Sequence, residues 1–576
     1  MAESQYWSRF WRRRMSRRAL LGAGAAGALG VAGAALVGCN GGGDGGNGDG
    51  NGNGGSPSPA GSPTPGGNVT RGRSINALGI DPHIDLTGLD IDLMMYTYLY
   101  SWNRFKEEAV TNNFVEDMEI KSPTEFSFSL RRGVVGWPFG PAAGEELTST
   151  DCKASFERRG TALTAPDKRY AQRFLKGSGH LDTPDPYTFQ VFLDRPFVPA
   201  IREMANLTWA IVPAKVLEAY PNLSQVAFGT GPFMLDEFRG SERISLRRHP
   251  DYFLKPQPWL DSVTYIVITE NSSLLSAFKS GQHDINGAIL TKSTADSLVE
   301  DDNFSVSSAP SLFYPVIHLK MRDAWTDIRV REALNLAINR DEMISSVQDG
   351  AGNYNGPIQW PQLKWALPQE EVREFYPYDP GRARTLLEEA GYKRVSFVMK
   401  APELIGPTIF GDMALLVKDQ VKDLGDGYGF DIEIDFVELG VFISNVILPG
   451  NFDMAFFPNL PYDEPDRPLS FYHSKGVTGS GNWTNYTNPE LDKLIDAQAE
   501  EFDEPTRQGI VQAAQRLILP EHGPQLTLTG GTQFFASWKH VHFGPEGATT
   551  FGGLIEPPDT EAKYGPVGTE IWTDKA

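Results

Sequence analysis

An α/β fold, with mixed sheets covered by helices, is what the sequence predicts, and three observations predict it. Several segments alternate apolar and polar residues with the period of two of a half-buried strand. Others carry apolar residues at helical spacing between capping residues. No short repeat runs along the chain, which argues against solenoids and propellers. At 576 residues the chain exceeds what one hydrophobic core serves, so two or three packed bodies are expected.

The strands come first. "EFSFSLRRGV" places Phe126, Phe128 and Leu130 on one face, and "YTFQVFLD" and "FDIEIDFVEL" repeat the alternation. In "TDIRVREALNLAINRDEMI", Val330, Ala333, Leu334, Ala337 and Ile338 form one helical stripe, with Thr326 or Asp327 available as N-cap. "YDPGRARTLLEEAGYK" reads as a second helix: Asp379 caps, Pro380 suits the first turn, Leu386, Leu387 and Ala390 face inward, and Gly391 closes the end. A third is marked by Met413, Leu416, Val417, Val421 and Leu424.

Charge divides the chain. Residues 1–38 carry six arginines against one glutamate, whereas the whole chain carries −21, so the remainder is strongly acidic. Such a surface repels nucleic acid and anionic lipid headgroups, and neither is expected as a partner of the folded part. Cys39 and Cys152 are the only thiols, which excludes a disulfide framework and a cysteine-rich metal site. Cys152 reads as a small buried hydrophobe.

The leader has the order of an export signal: a basic stretch, an uncharged run over 19–37, and a small-residue end. The run is long enough for a transmembrane helix, yet its Gly and Ala gain little from lipid, which favours export over a permanent span. Ser16-Arg17-Arg18-Ala19-Leu20-Leu21 resembles a twin-arginine signal, with Arg17 and Arg18 as the pair. Leu36-Val37-Gly38-Cys39 resembles a bacterial lipoprotein signal, which implies a lipid on Cys39. The Gly/Asn/Ser/Pro run that follows has almost no apolar side chains to bury and reads as a flexible tether.

A search for chemistry removes the easiest enzyme readings. A G-x-S-x-G elbow, an H-E-x-x-H zinc helix and a G-x-x-x-x-G-K-[ST] phosphate loop are all missing from the sequence. Of the nine histidines only His540 and His542 are closely spaced, on one face if they share a strand, and two ligands do not make a metal site. The "YDEPDRP" stretch, 462–468, offers paired carboxylates for acid–base work or a stiff, Pro-kinked recognition loop.

Several stretches resemble one family. "GTGPFMLDEFRGSERISLRRHPDYF" with "PWLDSVTYIVITENSSLLSAFKSGQHDI", "WTDIRVREALNLAINRDEMI", "YDPGRARTLLEEAGY" and "YTNPELDKLIDAQAEEFD" are similar, in order, to the blocks of extracytoplasmic solute-binding proteins of ATP-binding-cassette importers, peptide/nickel (family 5) class. That resemblance implies a periplasmic-binding-protein-like fold (type II, peptide-binding class): two lobes with mixed sheets, an extra subdomain, and a ligand cleft between the lobes that closes about hinge strands. It implies no enzyme activity and no cofactor. It implies as partners a small solute and the importer's permease subunits, with a monomer held outside the cytoplasm by Cys39. The implied division is export signal 1–38, tether 39–68, base lobe 69–107, 216–268 and 530–576, added subdomain 108–215, and second ligand-binding lobe 269–529.

One departure bears on the ligand. Peptide-binding members carry an aspartate in an "A-D-Y-x-[DE]-P" loop that meets the peptide's ammonium group; here the loop reads Leu460-Pro461-Tyr462-Asp463-Glu464-Pro465, and Pro461 stands in its place. A buried ammonium would lack compensation there. Either Asp463, Glu464 or Asp466 substitutes, or the ligand belongs to another class the family serves, such as oligosaccharides, opines or metal chelates. Ser101, Trp102 and Asn103 occupy the family's ligand-backbone turn, Phe313, Tyr314 and His318 enter the second lobe, and Trp483 lies near its exit; for each aromatic, core packing and ligand contact both remain open. The family's "G-V-K-F-H-D-G" turn reads Gly133 to Gly140 without its His and Asp. The leading expectation is a binding lipoprotein that captures a short peptide for import. A non-peptide binder, a sensory binding protein and a hydrolase using Asp463 and Glu464 are the alternatives.

Overall fold

The computed structural model describes residues 63–85, 87–103, 108–110, 113–161, 179–206, 208–311, 314–358, 364–403, 409–447, 449–459, 464–476, 482–543 and 571–575. The basic leader, Arg17, Arg18, Cys39 and most of the tether lie outside them. Among the described residues no helix is long and apolar enough to cross a membrane.

Three sheets organise three bodies. The first sheet runs Asn68–Arg73, Ser262–Val267, Arg243–Arg248, Phe233–Arg239, with the first pair parallel and the rest antiparallel. Its inward residues join Met94, Tyr96 and Trp137 in one core. The second sheet is antiparallel, in the order Val115–Ser122, Glu125–Leu130, Thr188–Phe192, His180–Asp185. Phe126, Phe128 and Leu130 face its core as their spacing predicts, and helix Ser149–Thr161 adds Cys152 and Phe156.

The third sheet is mixed, in the order Gly429–Glu438, Arg394–Glu403, Met454–Asn459, Tyr314–Leu319, Gln525–Thr527. Alternation along Tyr314–Leu319 sends Ile317 and Leu319 into one core, with Val330, Leu334, Leu386 and Val417. Tyr314, Val316 and His318 therefore point to the opposite face. A smaller antiparallel sheet joins Phe304–Pro310, Thr529–Trp538 and Gly352–Tyr354.

The helix signals are met with one correction. Asp327 caps Ile328–Ala337 and Asp379 caps Pro380–Glu389, each by accepting a backbone N–H, and Gly391 takes a left-handed φ of 82°. The stretch 326–344 is not one helix. Ile338 is extended and Asn339 starts a second helix, Arg340–Val347, by accepting from the Glu342 N–H. The Asn side chain offers the backbone a new start, which an apolar-periodicity reading does not register. The third helix spans Ile409–Val421, and Leu424 lies beyond its end, still buried.

Gly229 and Gly231 serve close approach, not a left-handed turn: a Cβ on either would strike the Met95 backbone, and the Gly231 N–H donates to the Met95 carbonyl at 2.9 Å. The 133–140 turn is a docking element. Its Trp137 is buried in the first core, and its N–H donates to the Gly229 carbonyl at 3.1 Å. His540 and His542 do not form a pair. His540 sits in a turn and meets Asp284 at 2.8 Å, while His542 meets Asp574 at 2.8 Å and stacks on Trp572.

The first and small sheets are tied through residues 284–286. Ile285 bridges Arg71 on one side and Ser537 on the other. Gly287 follows at a point where a Cβ would strike the Gly72 carbonyl. Backbone cannot yield as a side chain can, so Gly287→Ala is expected to destabilise the protein by about 1–3 kcal/mol, read as a lower thermal midpoint; an unchanged midpoint would refute the close approach.

Candidate functional site: a buried ionic seam between two bodies

The second and third bodies meet along a seam. Helix Pro489–Glu500 ends there, its Ala499 lies within the core of the second sheet, and the Val198 N–H donates to the Ala499 carbonyl at 2.8 Å. Beside it opens a shallow recess lined by residues that include Ile201, Arg202, Trp365, Glu464, Phe502 and Arg507.

Charge, unusually for a buried surface, fills this seam. Arg467 reaches from the third body to Glu203 on the second through both Nε, at 3.1 Å, and Nη2. Their side chains are each 3% exposed. Glu203 also accepts from Trp209 Nε1 at 3.1 Å. Glu464 accepts from Arg507, and Arg202 of the second body approaches it at 3.7 Å. Gln498 closes the network: its Nε2 donates to Asp466 at 2.7 Å, and it accepts from Arg507 through both its carbonyl and its side chain, each at 2.9 Å. The guanidiniums of Arg202 and Arg507 lie over the Trp365 ring, 5.8 and 4.9 Å from its centre. Ions taken out of water this far need such geometry to break even.

The sequence-predicted site residues are distributed as follows. Glu464 is in the seam, its carboxylate paired with Arg507 and approached by Arg202. Asp466 is likewise engaged by Gln498 and fully buried. Phe313, Pro461, Tyr462 and Asp463 lie outside the described residues. Ser101–Asn103 is a strand paired with Glu108–Val110, and Ser101 Oγ accepts from Asn113 at 3.0 Å; the Trp102 and Asn103 side chains are not described.

His318 and Trp483 are brought into contact inside the third body, and Tyr314 lies farther along the same strand face. Tyr314 donates to the Pro357 carbonyl at 3.2 Å. Trp483 meets His318 edge to face, with ring centres 5.8 Å apart, and stacks on Phe471 at 5.1 Å. Gln525 Nε2 contacts His318 Nδ1 at 3.2 Å. His318 Nε2, Trp483 Nε1 and Tyr472 Oη are buried and make no hydrogen bond to another described residue. Desolvation drives His318 down to about 4, so it is neutral here.

Sequence reasoning missed Arg202, Glu203, Arg467 and Arg507. Arg467 stands inside "YDEPDRP", a stretch read for its acids, and pairing across more than 260 residues leaves no spacing signal.

The comparisons with known proteins settle the family. Residues 121–482, more than half of the chain, match the family described as bacterial extracellular solute-binding proteins, family 5 Middle. The chain belongs to this family. The glutathione-binding protein GsiB of Salmonella choleraesuis is 26% identical over 312 residues, covering 53% of this chain and 55% of that protein. The chain thus spans about half the length of the first curated relatives it matches. Among solved structures, the periplasmic binding protein DppA of Helicobacter pylori in complex with the peptide STSA superposes with a TM-score of 0.73 at 20% identity, over 89% of this chain and 99% of that one. AgaA of Agrobacterium tumefaciens, in complex with agropinic acid, gives 0.73 at 21%, over 87% and 99%. These confirm the family 5 solute-binding fold that the sequence blocks implied.

His318 generates a pH prediction. Its folded value is depressed to about 4 from an ordinary value near 6.5, so the unfolded chain binds the proton first. Stability present above pH 6.5 is therefore lost as pH falls toward 4. His83 and His522 are depressed to about 4 as well, so His318→Gln should make the decline shallower without abolishing it. Urea midpoints at pH 7, 6 and 5 test this; parallel declines in parent and variant would refute it.

Proposed function

We propose that this protein is an extracytoplasmic solute-binding lipoprotein that captures a small solute between two lobes and delivers it to an importer of the ATP-binding-cassette class. Membership of the solute-binding family carries this reading. The division into base lobe (69–107, 216–268, 530–576), added subdomain (108–215) and second lobe (269–529) is supported by the sheets: each of the three has its own core, and residues 284–286 tie the first sheet to the small one, from which the chain enters the third at Tyr314. A basic leader with Arg17 and Arg18, and Cys39 ahead of a tether, support export and lipid anchoring on the outer face of the membrane. The acidic mature chain is not built for nucleic acid, and we take it to act as a monomer without catalysis.

The ligand we favour is a short peptide, the class bound by DppA. A second reading, a non-peptide solute of the kind bound by AgaA, is favoured by one observation: Pro461 stands where the resemblance places the ammonium-binding aspartate, and Glu464 is already paired with Arg507 and approached by Arg202. Asp463 is the remaining acid of that loop. Tyr314, His318 and Trp483, with Ser101, Trp102, Asn103, Phe313 and Tyr462, are the proposed ligand-lining set, Trp483 Nε1 and His318 Nε2 making no hydrogen bond to another described residue.

Mass spectrometry of the solute released on unfolding the chain from Asn68 onward, purified without denaturant, tests the reading. Peptides are expected. A saccharide, opine or chelate would transfer the protein to the second reading, and no solute, together with no binding across a broad panel, would overturn both. In a lipoprotein-producing bacterium, Cys39→Ser should abolish labelling by a fatty acid; retained labelling would overturn the anchor.

A further inference from the structure

We propose that Arg202 and Glu203 are positioning residues: across the seam they form an ionic clasp that holds the second and third bodies in the arrangement of this structure, without touching the solute. This rests on the two-lobe binding reading and adds to it a control on closure.

The clasp is made of two unlike halves. Glu464, Arg507, Gln498 and Asp466 all belong to the third body and can hold one another with the seam apart. Arg467 is different: its ring of contacts is completed by Glu203 from the second body, through two guanidinium nitrogens. Arg202 adds the second crossing, to Glu464. The three guanidiniums and three carboxylates named here balance.

Separation would return Glu203 and Arg467 to water, whereas closure strips both to 3% exposure. Closure in the right register therefore pairs them; closure in any other register buries charge uncompensated, which is costly. Contrast the Arg195–Glu500 pair on the rim of the same seam, with side chains 57% and 46% exposed, where screening leaves little at stake. The clasp also reaches the candidate ligand wall. Arg467 lies on helix Asp466–Ser470, and the next residue, Phe471, stacks on Trp483. Because apparent affinity scales with the population of the binding-competent form, a clasp biasing closure tunes affinity from outside the cleft.

The test measures distance, with no solute added. Spin labels at Asp117→Cys in the second body and Glu388→Cys in the third, in full-length chain carrying Cys39→Ser, report the separation by double electron–electron resonance. The parent is expected to show a short-distance population matching the structure. Glu203→Gln should lower its ratio to the long-distance population at least about tenfold. The exchanged pair Glu203→Arg with Arg467→Glu should recover most of it, and Arg195→Ala should leave it within about twofold. An unshifted Glu203→Gln, a failed exchange, or a parent without the short population would each overturn the clasp. Should Glu203→Gln not fold, Arg202→Gln decides: it leaves both Glu203–Arg467 and Glu464–Arg507 in place, and a partial shift is required of it. The released-solute measurement judges the binding reading separately, so failure of one is not failure of the other.

Discussion

The structure depends on a short run of backbone shared by two sheets. The Asp284 and Ile285 N–H groups both donate to the Thr70 carbonyl, while the Asn286 N–H donates to Ala536 and the Asp284 carbonyl accepts from the Trp538 N–H. Asp284 then collects side-chain bonds from Thr70 N–H, His540 and Lys575. Everything C-terminal to this run, through the third sheet and back along Thr529–Trp538, is attached to the first body by it and by the returning strand.

From that tie the rest follows as two separate problems of burial. Each sheet satisfies its own apolar residues, so the bodies owe their internal stability to ordinary cores. What holds the second body to the third is partly apolar, at Ala499 and Phe502, and partly ionic, at Glu203 and Arg467. An apolar seam would close indifferently to register. A seam with desolvated charges discriminates, because a misplaced guanidinium loses more than a misplaced methyl group. The third body's interior shows the complementary case: His318 and Trp483 bring polar nitrogens into a core, where His318 Nε2 and Trp483 Nε1 make no hydrogen bond to another described residue.

Much of this was legible beforehand. The period of two in "EFSFSL" and the caps at Asp327 and Asp379 act within a few residues, so they survive in the sequence as patterns. Asn339 was legible in principle, since a polar residue that can cap stands between two apolar turns, yet the stripe across it concealed the break. The seam was not legible. Glu203 and Arg467 are 264 positions apart, and both residue types are ordinary surface residues until the fold removes their water.

By itself the sequence determined the local elements, the family through its ordered blocks, and the contrast between a basic leader and an acidic remainder, because each is a property of neighbours along the chain or of composition. Only the tertiary structure decided that Glu464 is paired with Arg507 and approached across the seam by Arg202, that Trp137 and the glycines at 229 and 231 serve docking, and that His318 meets Trp483. The physical reason is the same in each instance: burial and partnership are set by chain crossings that no local spacing encodes, and they decide whether a charged or aromatic side chain is exposed, paired or packed.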